Sequence, residues 1–165
     1  MCIRDSLRPA EALAPFERAV QLDPMHPLVL GLGPAPPLGP GRVYLAQGRD
    51  EDAVRDLLRV ATLRGAGTGE VDSLRAAFAT GGMHGFWRRW LVMDRRQAGV
   101  SMNPLRVAML SAMAGDSAEA LTWLERAYAE RASGLIFLRT EPAFAGLRTH
   151  PRYVRVEQGM RFPAR

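Results

Sequence analysis

Residues 41–49, Gly41-Arg42-Val43-Tyr44-Leu45-Ala46-Gln47-Gly48-Arg49, and the run that follows them from Asp50 through Ala53, Leu57 and Val60 to Gly65 decide the fold. Ala53, Leu57 and Val60 recur at the three- and four-residue spacing that places side chains on one face of a helix. Upstream, Gly41 is a small residue, Tyr44 an aromatic three positions on, and Gly48 stands where a helix end takes up a left-handed conformation. The stretch therefore predicts two short helices joined by a tight turn, packed closely where the small residues face each other.

A related pattern lies on either side. Ala12, Phe16, Ala19 and Pro24 form the series Ala-x3-Phe-x2-Ala-x4-Pro, with proline closing the helix. Downstream, over residues 103–132, Ala108 precedes Ala120 by twelve residues, and Leu124 and Ala127 follow, just as Gly41 precedes Ala53 by twelve. Gly115 and Asp116 supply the turn, and Asp116 with Glu119 three positions on has the form of a capping box. From Ala53 to Ala120 is 67 residues. One degenerate unit fits between them at 70–98: a helix around 71–79, a break at Gly81-Gly82, and a second helix around 83–97 with Phe86, Trp87, Trp90 and Leu91. From Ala12 to Ala53 is 41 residues; the surplus maps to 31–40, GLGPAPPLGP, whose prolines and glycines break a helix interior. That stretch is either an insertion or the product of a local frameshift.

The composition bounds the rest. The chain has 165 residues, 47% of them hydrophobic, enough for one domain or a short repeat array. One cysteine forms no internal disulfide, and three widely spaced histidines lack zinc-ligand spacing, so neither metal nor cofactor is expected. All 22 basic residues are arginine, a bias that fits a GC-rich genome and weakens the net charge of +5 as a sign of nucleic-acid binding, which needs clustered charge. Met1–Ser6 back-translates to a sequence similar to the transposase end used in library preparation, so residues 1–6 are treated as an adaptor scar.

These patterns resemble tetratricopeptide repeats, whose period is about 34 residues, half the Ala53-to-Ala120 interval. The tail is similar to the ending that follows the last repeat in many bacterial proteins of this kind, notably the C-terminal halves of winged-helix regulators, serine/threonine kinases and adenylate cyclases. It runs from Ser133-Gly134-Leu135-Ile136-Phe137-Leu138 through Thr140-Glu141-Pro142-Ala143-Phe144 to Leu147-Arg148-Thr149-His150-Pro151-Arg152-Tyr153. The resemblance implies an all-α superhelix of helical hairpins: a half repeat at 7–24, repeats at 25–65, 70–98 and 103–132, and a capping segment at 133–165. In that cap, Thr140 and Thr149 are candidate N-caps, Pro142 and Pro151 occupy first turns, and Phe144, Leu147, Tyr153 and Val156 cover the last repeat.

The resemblance also implies a cytoplasmic scaffold that binds a protein or peptide partner, as part of a larger signalling or transcription-regulatory protein. The first helix of each repeat would line a groove, here through Met102, Leu105, Met109, Ala112 and Met113, with Arg42 on the corresponding face of the preceding unit adding a preference for acidic partners. Methionine suits such a groove because its flexible, polarizable side chain adapts to varied apolar surfaces. Core packing is the competing reading of the same residues. No membrane span is expected. Two other functions would each leave a mark in the sequence. Nucleic-acid binding would need Arg88, Arg89, Arg95 and Arg96 in one patch, whereas FWRRW reads first as the packing face of a helix. Catalysis would need His84 or His150 beside a carboxylate, and no such motif is visible, so no catalytic residue is assigned. Glycines 65, 67 and 69 read as a linker, since a phosphate loop would require a preceding strand and a lysine.

Overall fold

The computed structural model describes residues 40–98 and 102–161, and every regular element among them is a helix. The expectations placed on Ala12, Phe16, Ala19, Pro24, His26 and most of 31–40 lie outside the described residues. In chain order come α1 (Pro40–Ala46), α2 (Asp50–Leu63), α3 (Thr68–Ala98), α4 (Pro104–Met113), α5 (Ser117–Ala129), two 3-10 turns (Ser133–Phe137 and Pro142–Leu147) and α6 (Pro151–Gly159). Two compact units, Met1–Ala79 and Thr80–Arg165, divide the chain within α3. Gly82, at φ +56° and ψ −152°, interrupts the helical backbone of α3, a conformation that glycine adopts without a Cβ clash.

In the first unit, α1 and α2 form the antiparallel hairpin that the 41–60 pattern predicts. Gly41 is small for a visible reason. A methyl group there would stand 3.1 Å from Asp56 Oδ2, 3.2 Å from Leu57 Cγ and 3.4 Å from the Ala53 carbonyl oxygen. The Gly41 amide, one of the donors that a helix start leaves without an intrahelical acceptor, instead donates to Asp56 Oδ2 at 2.8 Å. Ala53, Leu57, Val60 and Ala61 are buried as one stripe of α2. Three acidic residues, Asp50, Glu51 and Asp52, occupy the first turn of α2, where the helix dipole favours negative charge. Arg49 donates to Asp52 at 2.8 Å and stacks 4.6 Å from the Tyr44 ring centroid, and that hydrogen bond holds the Asp52 carboxyl below its ordinary value.

The second unit is built around α4, whose residues from Pro104 to Ser111 are all buried. Asn103 starts this helix by accepting the Leu105 and Arg106 amides at 2.9 and 3.3 Å, with Pro104 in the first turn. Against it pack α5 and the second 3-10 turn. The aromatic part of α3 buries Phe86, Trp87 and Trp90, with ring centroids 5.2 to 5.9 Å apart. FWRRW is thus a packing face, with Arg88 exposed and Arg89 half-buried. In the tail, Phe144, Leu147, Tyr153 and Val156 are buried.

Two local expectations need correction. Thr140 and Thr149 are not the N-caps; Glu141 accepts the Ala143 amide at 3.1 Å and His150 Nδ1 accepts the Arg152 amide at 3.2 Å. Proline at the first helical position pushes the residue before it into extended backbone, so that residue becomes the cap. The 65–69 linker is also shorter than expected, because Thr68 and Gly69 already belong to α3.

Four helix ends close in the same way. After α1, α2, α4 and α5, the residues Gly48, Gly65, Gly115 and Arg131 adopt positive φ of 70°, 89°, 82° and 54°. Each donates its amide three residues back, to Leu45, Thr62, Ala112 and Tyr128, and the next residue donates five back, to Tyr44, Ala61, Ser111 and Ala127, at 2.9 to 3.1 Å. This paired arrangement satisfies carbonyls that the helix end would leave open. Three of the four positions are glycine, and the fourth is Arg131; after α6, Arg161 likewise holds positive φ, 49°, and donates its amide three residues back, to Gln158, at 3.1 Å.

Candidate functional site

Most of the predicted groove residues sit on α4, and the structure divides them. Leu105 and Met109 are interior, 4% and 3% exposed. Met102, Ala112 and Met113, at the two ends of the helix, keep partial exposure. Arg42 belongs to the first unit, half-buried on α1. The accessible part of this face is therefore the two ends of α4, and its middle is core.

Around α4 stands a polar frame that sequence inspection missed. Arg106 Nε on α4 lies 2.5 Å from Asp94 Oδ2 on α3, with the two residues 8% and 3% exposed. Two charges taken out of water hold a geometry because each would be costly without the other. The signal was available: Trp87, Trp90, Leu91 and Asp94 share one helical face, so Asp94 is a carboxylate on an apolar stripe.

Glu119 on α5 is a second junction. Its backbone amide donates to Asp116 Oδ1 at 2.9 Å, completing the forward half of the predicted capping box. The reverse half is not made: the Asp116 amide donates to the Ser111 carbonyl at 2.9 Å, and the Glu119 carboxylate is engaged across the unit. It accepts from Ser111 Oγ of α4 at 3.1 Å and from Trp123 Nε1 at 3.4 Å, and it pairs with Arg95 of α3. Arg95 is thereby committed within the fold, which leaves the four-arginine patch with one member facing a carboxylate.

A third junction ties α6 to α5. Arg152 of α6 makes a two-pronged contact with Glu125 of α5 at 2.8 and 2.6 Å and also donates to Thr122 Oγ1 at 3.1 Å. The Arg152 hydrogen bond pulls the Glu125 carboxyl below its ordinary value, against a smaller opposing effect of burial. Tyr153 donates its hydroxyl to the Leu138 carbonyl at 3.0 Å, and burial pushes that phenol up. Of the two described histidines, His84 is exposed with its ring lying against Gly115, and His150 serves as the α6 cap. Among the described residues no group of three or more His, Cys, Asp or Glu is placed to hold a metal ion, and no helix is long and apolar enough to cross a membrane.

No protein-family model, curated protein or solved structure matches this chain.

Proposed function

We propose that the chain is a short tetratricopeptide-like superhelix acting as a protein-interaction scaffold, without catalysis of its own, in a cytoplasmic signalling or transcription-regulatory protein. The observation that carries this reading is the likeness of its two hairpins. α1–α2 and α4–α5 each turn at a left-handed glycine, Gly48 and Gly115, 67 residues apart. Each buries alanine at the same offset from that glycine, Ala53 and Ala120, and Gly41 approaches its partner helix as the repeat pattern requires. Repeated hairpins that cannot bury their apolar faces alone gain stability by stacking, and the stacked surface is what such proteins offer to partners.

On this reading a peptide docks at the ends of α4 through Met102, Ala112 and Met113. The test is selection of displayed peptides on the intact chain, followed by binding to the Ala112→Arg and Met113→Glu variants. Loss of binding in both, with helical content and melting retained, supports the groove. Selected peptides that bind both variants as tightly as the parent would end this assignment. Retention of binding at raised salt separates an apolar groove from an electrostatic association with nucleic acid, which falls steeply as salt rises.

A further inference from the structure

Four elements of the second unit start on a side-chain acceptor. Asn103 takes the Leu105 and Arg106 amides, Asp116 the Glu119 amide, Glu141 the Ala143 amide and His150 the Arg152 amide. The carboxamide and the two carboxylates offer their oxygens throughout the neutral pH range. His150 differs in kind. Its acceptor is Nδ1, 3.2 Å from the Arg152 nitrogen, and an imidazole nitrogen accepts only while it carries no proton. The cap therefore requires the neutral ring with its hydrogen on Nε2. Protonation turns the acceptor into a second donor, aimed at another N–H, and sets a positive charge at the positive end of the helix dipole.

The charges around the ring do not offset that loss. From α5, Glu125 is the carboxylate whose field reaches the imidazole. Both of its oxygens are taken by Arg152, at 2.8 and 2.6 Å, and Arg155 stands 3.9 Å from one of them. The next charges along α5, Arg126 and Glu130, pair with each other. The two 3-10 turns, SGLIF and PAFAGL, contain no ionisable side chain. Of the residues beside those turns, Arg139 pairs with Glu157, Glu141 caps its own turn, and Arg148 lies beside the Tyr153 hydroxyl. An imidazolium at 150 would thus meet one carboxylate already shared by two arginines, and a helix start of its own sign.

We infer that His150 is a proton-sensitive latch on α6: the neutral ring caps the helix and steadies its seat on α5, and protonation withdraws the cap and loosens that seat. The first turn of α6 transmits the change. Arg152, whose amide His150 holds, is the residue that clasps Glu125, and the next residue, Tyr153, is buried with its hydroxyl on the Leu138 carbonyl. The contribution of the cap is present above the interval in which histidines titrate, about pH 5–8, and is lost as pH falls through it.

Nitrogen NMR of the full chain reads the premise directly. At the alkaline end of that interval the His150 ring is expected with its hydrogen on Nε2, and a ring protonated on Nδ1 alone would overturn the inference. Amide exchange in α6, corrected for the intrinsic pH dependence of exchange, reads the consequence: protection should fall by about fivefold across the interval, the size of one lost N-cap. His150→Asn supplies an acceptor that does not titrate, so protection should persist and the response disappear. His150→Ala should be poorly protected at both ends. His84→Gln should respond as the parent does. The Glu125–Arg152 clasp is lost in a separate interval, below the ordinary carboxyl value of 4.5. Equal protection of the parent at both ends, or a response that survives in His150→Asn, overturns the latch. So does a response that vanishes in His84→Gln, or a His150→Ala variant as well protected as the parent at the alkaline end.

Discussion

Two single residues carry opposite kinds of stress. Arg131 holds φ +54° at the end of α5, a conformation costing a non-glycine residue about 1–2 kcal/mol. Glycine would remove that cost but add unfolded-chain entropy of about 0.4–1 kcal/mol, so Arg131→Gly should stabilise the fold by about 0.5–1 kcal/mol. Urea unfolding measures this, and a stability loss would show that the arginine side chain braces the turn. Asp94 is the reverse case, a buried charge held by Arg106 at 2.5 Å. Asp94→Ala leaves the guanidinium buried without its carboxylate and should cost about 3–5 kcal/mol. An Asp94→Leu/Arg106→Met double substitution should recover most of that; if the double variant is no more stable than the single one, the pair contributes more than its own mutual compensation. The helical spacing of Ala53, Leu57 and Val60 made the burial of α2 legible. The same periodicity places Asp94 on an apolar face, a signal the sequence reading passed over, and it could not in any case name the partner, because Arg106 lies on another helix.

Helices meet through small residues and clasps, and each sets a measurable cost. Ala127 is fully buried on α5, and its carbonyl accepts the Ala132 amide that closes the helix end. Ala127→Trp should therefore cost at least about 1–3 kcal/mol by overpacking, and an unchanged melting temperature would count against close packing of the last hairpin. The α5–α6 clasp has a pH signature. Arg152 lowers the Glu125 pKa from its ordinary 4.5, so the clasp contributes fully above that unfolded-state value and is lost as pH falls through the lowered folded-state one. Amide exchange in α6 should accelerate on acidification through that window. Glu125→Gln should raise exchange at neutral pH and remove much of this acid dependence, and an unaltered acid response would place the titration elsewhere. The helix starts at Pro142 and Pro151 were legible from proline, but caps shifted by one residue at 140 and 149. The threonines looked right by side-chain type alone; backbone extension before proline decided which residue actually reaches the first amides.

At the scale of the molecule, the second unit has an interior of its own. Phe86, Trp90, Leu110, Leu124, Phe144 and Tyr153 are all fully buried, within residues 80–165. A fragment of 80–165 should accordingly retain helical circular dichroism and melt cooperatively; a broad, featureless transition would mean that this unit relies on the preceding residues. The all-helical class, the hairpin at 41–60, the last hairpin at 103–132 and the buried side of the tail were determined by sequence alone, since they follow from local periodicity, turn glycines and helix-starting residues. The tertiary structure decided what periodicity cannot resolve. It made α4 a central helix of the second unit, buried Leu105 and Met109 while leaving Met102, Ala112 and Met113 accessible, joined Asp94 to Arg106, and left Ile136 and Phe137 exposed. Such choices depend on which elements cover each other, and a side chain's neighbours across space are not written in its spacing along the chain.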